Sequence, residues 1–206
     1  MRLQLDGLTE RYAFCDPASG KKRLELKRTR ARSAIVVIAP DVAGRIFVLH
    51  AWADRCSTNA LTERIFEVNE QFRPKLFGVE ANGLQSLYGD TVGMEAKRRA
   101  QRLPLTPIYQ PTNIDKDFRI RAAIQPVIGY GRLFLQSHQH ELRQEIVSFP
   151  SGLTKDLIDA LASAIIMVPP RRTKQDQNDE LDARLAYLRD TNAPMHYIEA
   201  VAAGLA

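Results

Sequence analysis

The chain has 206 residues, 45% of them hydrophobic and 26% charged, with a formal net charge of +5. This composition is typical of a globular protein with a substantial core and excludes a disordered or fibrous chain. No apolar run approaches the ~18 residues of a membrane span, so we expect no membrane association. The N-terminus has no signal-peptide core, and two cysteines make no disulfide framework, so we do not expect secretion.

Three β-rich segments open the chain. They are residues 11–16, Ser33–Ala39 and Arg45–Trp52, and a turn with Pro, Asp and Gly over residues 40–44 links the last two. Apolar, β-branched runs separated by turn residues are typical of neighbouring strands in a hairpin. The sequence therefore predicts a three-stranded antiparallel meander.

Helices and short strands alternate after the meander. Ser57 and Thr58 cap a predicted helix with apolar residues at helical spacing up to Phe72, and a strand ending at Glu80 follows. Further helices are predicted over about residues 84–102, 116–128 and 141–147 and from Asp156 onward, with short strands over residues 105–109 and 132–135. This order predicts an α/β fold in which the meander and later parallel strands form one mixed sheet with helices on both faces.

The composition changes after Val168. Residues 169–180 are polar and begin with two prolines, Leu181–Arg189 forms a short amphipathic stretch, and the final segment is rich in alanine. We therefore expect a globular domain over residues 1–168, followed by a polar linker and a partly ordered helical tail over residues 169–206.

Three acidic residues stand at the ends of apolar segments. Asp16 closes the first strand, Glu80 closes the strand over residues 76–80, and Asp156 opens the last helix. Each alone is typical of a cap or turn, but the predicted sheet brings all three to one edge, where buried carboxylates need a compensating cation. Two Mg²⁺ or Mn²⁺ ions suit such acids and would activate water and clamp a phosphate. Asp159, nearly on the same helix face as Asp156, would be a fourth ligand or would orient a ligand.

A strongly basic segment begins a few residues after Asp16. One acid, Glu25, stands among its seven basic residues, which are Lys21, Lys22, Arg23, Lys27, Arg28, Arg30 and Arg32. Because the segment begins near the predicted metal site, we interpret it as a hairpin that contacts nucleic-acid phosphates, with a solvated loop as the alternative. Lys116 and Arg119, in the first turns of a predicted helix, either contact phosphate or lie on a solvated face.

An ordered series of motifs resembles one protein family. The motifs are Asp16–Ala18, Ser33–Val37, Gly44–Trp52, Phe77–Glu80, Asp115–Ala122, Gly131–Leu135, Phe149–Gly152 and Asp156–Ala162. Over about residues 11–168 the chain is similar to the C-terminal nuclease domain of the large terminase subunit of tailed bacteriophages. The resemblance implies an RNase H-like fold.

The resemblance also implies an activity. Asp16, Glu80 and Asp156 would be the metal-binding catalytic acids of an endonuclease that cuts concatemeric viral DNA during packaging in the host cytoplasm. Double-stranded DNA, the terminase ATPase domain, the small terminase subunit and the portal protein would be its partners, and DNA contact is favoured for Lys116 and Arg119. Where the family has an acidic pair before Asp156, this chain has Thr154 and Lys155, so the main third ligand stays open between Asp156 and Asp159.

The sequence lacks the Gly-x-x-x-x-Gly-Lys-Ser/Thr phosphate loop of the family's ATPase. We therefore expect an excised nuclease domain or the product of a split gene. Two alternative functions stay open. One is another RNase H-like nuclease of the resolvase or transposase type, which would prefer branched or end-specific DNA. The other is a largely non-catalytic module that docks on a portal or capsid protein through residues 169–206.

Overall fold

The computed structural model describes residues 10–18, 32–81, 85–111 and 113–169, together with isolated residues between 182 and 202. The strands are β1 (Tyr12–Asp16), β2 (Ser33–Pro40), β3 (Ile46–Asp54), β4 (Leu76–Glu80), β5 (Leu105–Ile108) and β6 (Leu133–Phe134). The helices are α1 (Thr58–Phe72), α2 (Gln85–Arg98), α3 (Lys116–Gly129), α4 (His140–Ser148) and α5 (Asp156–Ile166). Both lists follow the predicted elements closely.

The described strands form one mixed sheet with the order β5-β4-β1-β2-β3-β6. β1, β2 and β3 are antiparallel neighbours, whereas β4 pairs in parallel with β1, β5 with β4, and β6 with β3. The predicted meander followed by parallel strands is therefore confirmed. β1 lies centrally, between β2 and β4, so its C-terminal end is flanked by structure on both sides.

Helices cover both faces of this sheet. On one face Tyr12 and Phe14 of β1 pack in a core with residues of α3, α4 and α5. On the other face Ala13 and Cys15 pack with residues of α1 and α2. Successive side chains of a strand point to opposite faces, and β1 is apolar on both, as expected of a strand buried between two helical layers.

The end of α1 directs the chain into β4. Ser57 Oγ accepts a hydrogen bond from the Ala60 amide at 3.2 Å and caps the start of the helix. At the other end Arg73 adopts a left-handed conformation with φ of 46°, and Pro74 cannot continue the helix. The chain therefore turns at once into β4, which runs beside β1 and ends at Glu80.

Residue contacts divide the chain into two compact units, Met1–Val168 and Pro169–Ala206. In the second unit the described helical residues include Asp182, Leu185, Arg189 and Met195. Among the helices that the structure describes, none combines the length and the apolar character needed to cross a membrane.

Candidate metal centre

The carboxylates of Asp16, Glu80 and Asp159 form one cluster. Each residue offers an oxygen that lies within 4.8 Å of an oxygen from the other two. The parallel register of β1 and β4 pairs Cys15 with Val79, so the next residues, Asp16 and Glu80, lie side by side at the ends of the two strands. Asp159 comes from the first turn of α5, which packs across β1 and β2.

The cluster is electrostatically costly without a cation. Asp159 is only 3% exposed, and Asp16 and Glu80 are partly buried. Burial, the charge of Glu80 and a hydrogen bond with Glu80 raise the pKa of Asp16 well above its ordinary range, with a further contribution from Asp159. Because like charges so close together resist joint ionisation, the three carboxylates favour a bound cation.

The donor set matches a particular class of ion. Three carboxylates provide only oxygen donors, and the hard cations Mg²⁺ and Mn²⁺ prefer such ligands. A zinc site would normally include histidine or cysteine. The residues present therefore fit the Mg²⁺ or Mn²⁺ that the sequence predicts.

Two basic side chains of α3 bind Asp159. Lys116 Nζ lies 2.7 Å from Asp159 Oδ2, and Arg119 Nη2 lies 2.7 Å from Oδ1. Burial opposes the charge on Lys116, but Asp159, and more weakly Asp16 and Asp156, raise its pKa. In the structure both predicted DNA contacts of α3 are therefore paired with a carboxylate of the cluster.

Asp156 lies outside the cluster of Asp16, Glu80 and Asp159. Its Oδ2 accepts a hydrogen bond from Arg32 Nε at 3.0 Å. The same guanidinium pairs with Glu141 and, through Nη2, with Glu145 Oε1 at 2.9 Å. Of the two acids between which the sequence left the third ligand open, the structure therefore brings Asp159, and not Asp156, together with Asp16 and Glu80.

The predicted basic hairpin is represented in the structure by its last residue. Arg32, a predicted phosphate contact, is instead held by three carboxylates on α4 and α5, with its side chain 15% exposed. The other predicted contacts of the segment lie outside the described residues; they are Lys21, Lys22, Arg23, Lys27, Arg28 and Arg30.

Lys155, which stands where the family has an acidic residue, pairs with a carboxylate of α3. Its Nζ donates hydrogen bonds to both carboxylate oxygens of Asp117 on α3, at 2.8 and 2.7 Å, and it lies over the Phe149 ring at 5.6 Å from the centroid. Lys155 therefore links α5 to α3 through Asp117.

Sequence reasoning missed the polar support of the cluster. Ser163 Oγ accepts hydrogen bonds from Arg119 at 3.3 Å and from Gln110 at 3.0 Å. A signal for this arrangement was present, because Asp159 and Ser163 are four residues apart and are the polar positions within the buried stretch 157–164 of α5. Polar residues at that spacing share a helix face and mark the side of α5 that meets polar partners.

Comparisons with known proteins bear on the fold. No protein-family model and no curated protein matches the sequence. Among solved structures, the HK97 bacteriophage large terminase matches with a TM-score of 0.53 and 14% identity, covering 76% of this chain and 39% of that protein. The P22 large terminase nuclease domain matches with a TM-score of 0.54 and 11% identity, covering 77% of this chain and 80% of that domain. Thermus thermophilus RuvC matches with a TM-score of 0.42 and 17% identity, covering 74% of this chain and 90% of RuvC.

The chain thus spans about two fifths of the HK97 protein's length and most of the P22 domain's. Both matches are to large terminases, and the match to P22 is to its isolated nuclease domain. At these identities the likeness concerns the path of the backbone. The chain has the RNase H-like fold of phage large terminase nuclease domains, which confirms the fold that the sequence resemblance implied.

Proposed function

We propose that this chain is a metal-dependent DNA endonuclease domain of a viral packaging terminase, cutting concatemeric genome DNA in the host cytoplasm. The observation that carries the proposal is the cluster of Asp16, Glu80 and Asp159 at the ends of β1 and β4 and the start of α5. The fold shared with the HK97 and P22 proteins supports the packaging role. Double-stranded DNA would be the substrate, and the terminase ATPase domain, small subunit and portal protein would be partners.

Asp16, Glu80 and Asp159 would hold two Mg²⁺ or Mn²⁺ ions. When bound, such ions supply a Lewis acid that polarises a scissile phosphate and lowers the pKa of an attacking water. Asp16, whose pKa is raised, would bind the ions in its deprotonated form, because metal ligands must be deprotonated. Metal binding would therefore release protons, and its affinity would increase with pH.

The residues around the cluster would orient these ligands. Arg119 fixes Asp159 Oδ1 and is itself held at Ser163, so the carboxylate has a defined direction before any ion arrives. Asp156, whose carboxylate is bound by Arg32, would help to position groups at the edge of the site. Contacts of this kind position a ligand without touching the reacting atoms.

Plasmid cleavage by the full chain in Mg²⁺, in Mn²⁺ and in EDTA tests the proposal. Asp16→Asn, Glu80→Gln and Asp159→Asn should each lower divalent-dependent cleavage by more than the roughly 10- to 100-fold typical of residues that only orient ligands. Asp156→Asn should stay within that range. Glu67→Gln, which removes a carboxylate from an exposed ion pair on α1, is the control and should cut normally.

Two results would contradict the proposal. Cleavage at the normal rate by Asp16→Asn or Asp159→Asn, with the fold retained by circular dichroism, would exclude the cluster as the metal site. A strong preference for four-way junctions over linear duplex DNA would favour the resolvase alternative and overturn the packaging role.

A further inference from the structure

Two cations share the most buried carboxylate of the cluster. Lys116 binds Oδ2 of Asp159 and Arg119 binds Oδ1, each at 2.7 Å. Both oxygens of a carboxylate that would serve as a metal ligand are thus already paired with positive charge. A divalent ion that binds Asp159 therefore comes close to at least one of these side chains and is repelled by its positive charge.

The two side chains differ in how firmly they are held. Arg119 is largely buried and also donates to Ser163 Oγ, which in turn accepts a hydrogen bond from Gln110. Its planar guanidinium holds both acceptors in a fixed geometry. Lys116, at the first position of α3, has a half-exposed side chain on a flexible four-carbon stem, so solvent is open to it. Lys116 is therefore the side chain that can leave.

We propose that Lys116 is a built-in counterion of the metal centre, which occupies Asp159 in the metal-free protein and is displaced when a divalent ion binds. Arg119 is then the permanent positioning residue of Asp159. This inference rests on the proposed metal site. It assigns the two basic residues different roles, although both contact the same carboxylate at the same distance.

The charge of Lys116 acts on more than one member of the site. Asp16 and Asp156 as well as Asp159 attract it, so the ammonium group partly neutralises the cluster in the absence of metal. Two consequences follow from its removal. The metal no longer has to break an ion pair, and it no longer meets a nearby positive charge. Both changes strengthen metal binding.

Calorimetric titration of the EDTA-treated, desalted full chain with MnCl₂ tests the inference. Lys116→Met should bind Mn²⁺ about three- to tenfold more tightly than the unmodified chain, whereas Lys116→Arg should stay within about twofold because the charge is kept. Lys75→Met is the matched control, since Lys75 is also a half-exposed lysine in an ion pair, with Glu10. It should leave the Mn²⁺ affinity unchanged.

Thermal denaturation separates this role from a purely structural one. Without metal, Lys116→Met should unfold at a lower temperature because Asp159 loses one of its cations, but saturating Mn²⁺ should restore its midpoint to that of the unmodified chain. Equal or weaker Mn²⁺ binding by Lys116→Met would overturn the inference. A thermal midpoint of Lys116→Met that is lowered by the same amount with and without Mn²⁺ would also overturn it.

The same titration distinguishes a failure of the counterion role from a failure of the proposed metal site. If neither the unmodified chain nor any variant binds Mn²⁺, the proposed metal site itself is wrong. If the unmodified chain binds Mn²⁺, Asp16→Asn does not, and Lys116→Met binds no more tightly, only the counterion role fails.

Discussion

Arg32 should stabilise the fold because it neutralises a buried carboxylate. Glu145 is 3% exposed, its Oε1 accepts from Arg32 Nη2 at 2.9 Å, and its Oε2 accepts from the Ile158 amide at 2.9 Å. Arg32→Met would remove the cation and leave the carboxylate in place. The contact joins residues 113 positions apart in the chain, so it ties the residue that precedes β2 to α4.

The cost follows from this geometry. Breaking a buried ion pair by removing one partner costs about 3–5 kcal/mol, and the lower end applies here because the Ile158 amide keeps Oε2 satisfied. At about 3 kcal/mol, a domain of this size should lose roughly 6–12 °C in its thermal midpoint. Glu141 and Asp156 also lose a partner, but they are more exposed and contribute less.

The loss should depend on pH. Burial already raises the pKa of Glu145, although the Ile158 amide, Thr154 and Arg32 oppose that shift. Without Arg32 the pKa of folded Glu145 rises further above the value of about 4.3 in the unfolded chain. The native state then binds the extra proton, so stability falls as the pH rises from about 4.3 through the folded pKa. Arg32→Met should therefore cost little near pH 5 and most near pH 8.

Urea denaturation in EDTA at pH 5 and pH 8 measures this difference against the unmodified chain, whose other titrating groups are the same. Adding Glu145→Gln to Arg32→Met should recover part of the loss at pH 8, because the neutral amide oxygen still accepts from Ile158. Arg98→Met, in an exposed ion pair with Glu95 on α2, should leave the midpoint unchanged. A loss of equal size at both pH values, or no loss at pH 8, would refute the reasoning.

Three further substitutions test the metal centre and the packing around it. Asp16→Asn should stabilise the metal-free protein, increasingly from about pH 4 upward, because the raised pKa of Asp16 makes the native state lose stability as pH rises. The same substitution should abolish the Mn²⁺-induced rise in the thermal midpoint. A thermal midpoint in EDTA at pH 8 below that of the unmodified chain would contradict the expected stabilisation. Gly78→Ala should cost about 1–3 kcal/mol in urea denaturation, because its Cβ would lie 2.8 Å from the buried Phe14 ring and against Met167. An unchanged urea midpoint would show that these two side chains can move aside. Gly93 lies within α2, and no atom lies within 4 Å of a Cβ added there. Gly93→Ala should therefore stabilise the fold by about 0.5–1 kcal/mol. A loss of stability in the same assay would contradict the expectation that the added methyl group meets open space.

Much of the fold follows from local patterns. The β-branched runs and their turn residues predict β1, β2 and β3 as an antiparallel meander, and the apolar spacing of α1 with Pro74 behind it predicts the entry into β4. Asp16 and Glu80 could be paired from the sequence because each ends a strand, and parallel neighbours end at the same edge of a sheet. These predictions depend only on the periodicity of short stretches of sequence, which is a local property of the chain.

The third carboxylate could not be predicted in this way. Asp156 and Asp159 are three residues apart, which places them only ~60° apart around the helix axis. An amphipathic helix reveals its inward face by its apolar stripe, but α5 buries all of residues 157–164 and so has no such stripe. Its rotation is set by packing against the sheet, α3 and α4, and that packing brings Asp159 to the cluster.

The partners of the basic residues were equally beyond a local pattern. Arg32, Lys116 and Arg119 have the composition of a phosphate-binding surface, yet each is bound to a carboxylate on α5 that lies 40 or more positions away. A charge in the sequence shows what a side chain attracts, and only the folded chain decides which opposite charge comes within reach. The sequence therefore determined the sheet, its helical layers and the first two acids, and the tertiary structure decided the third acid and the cations around it.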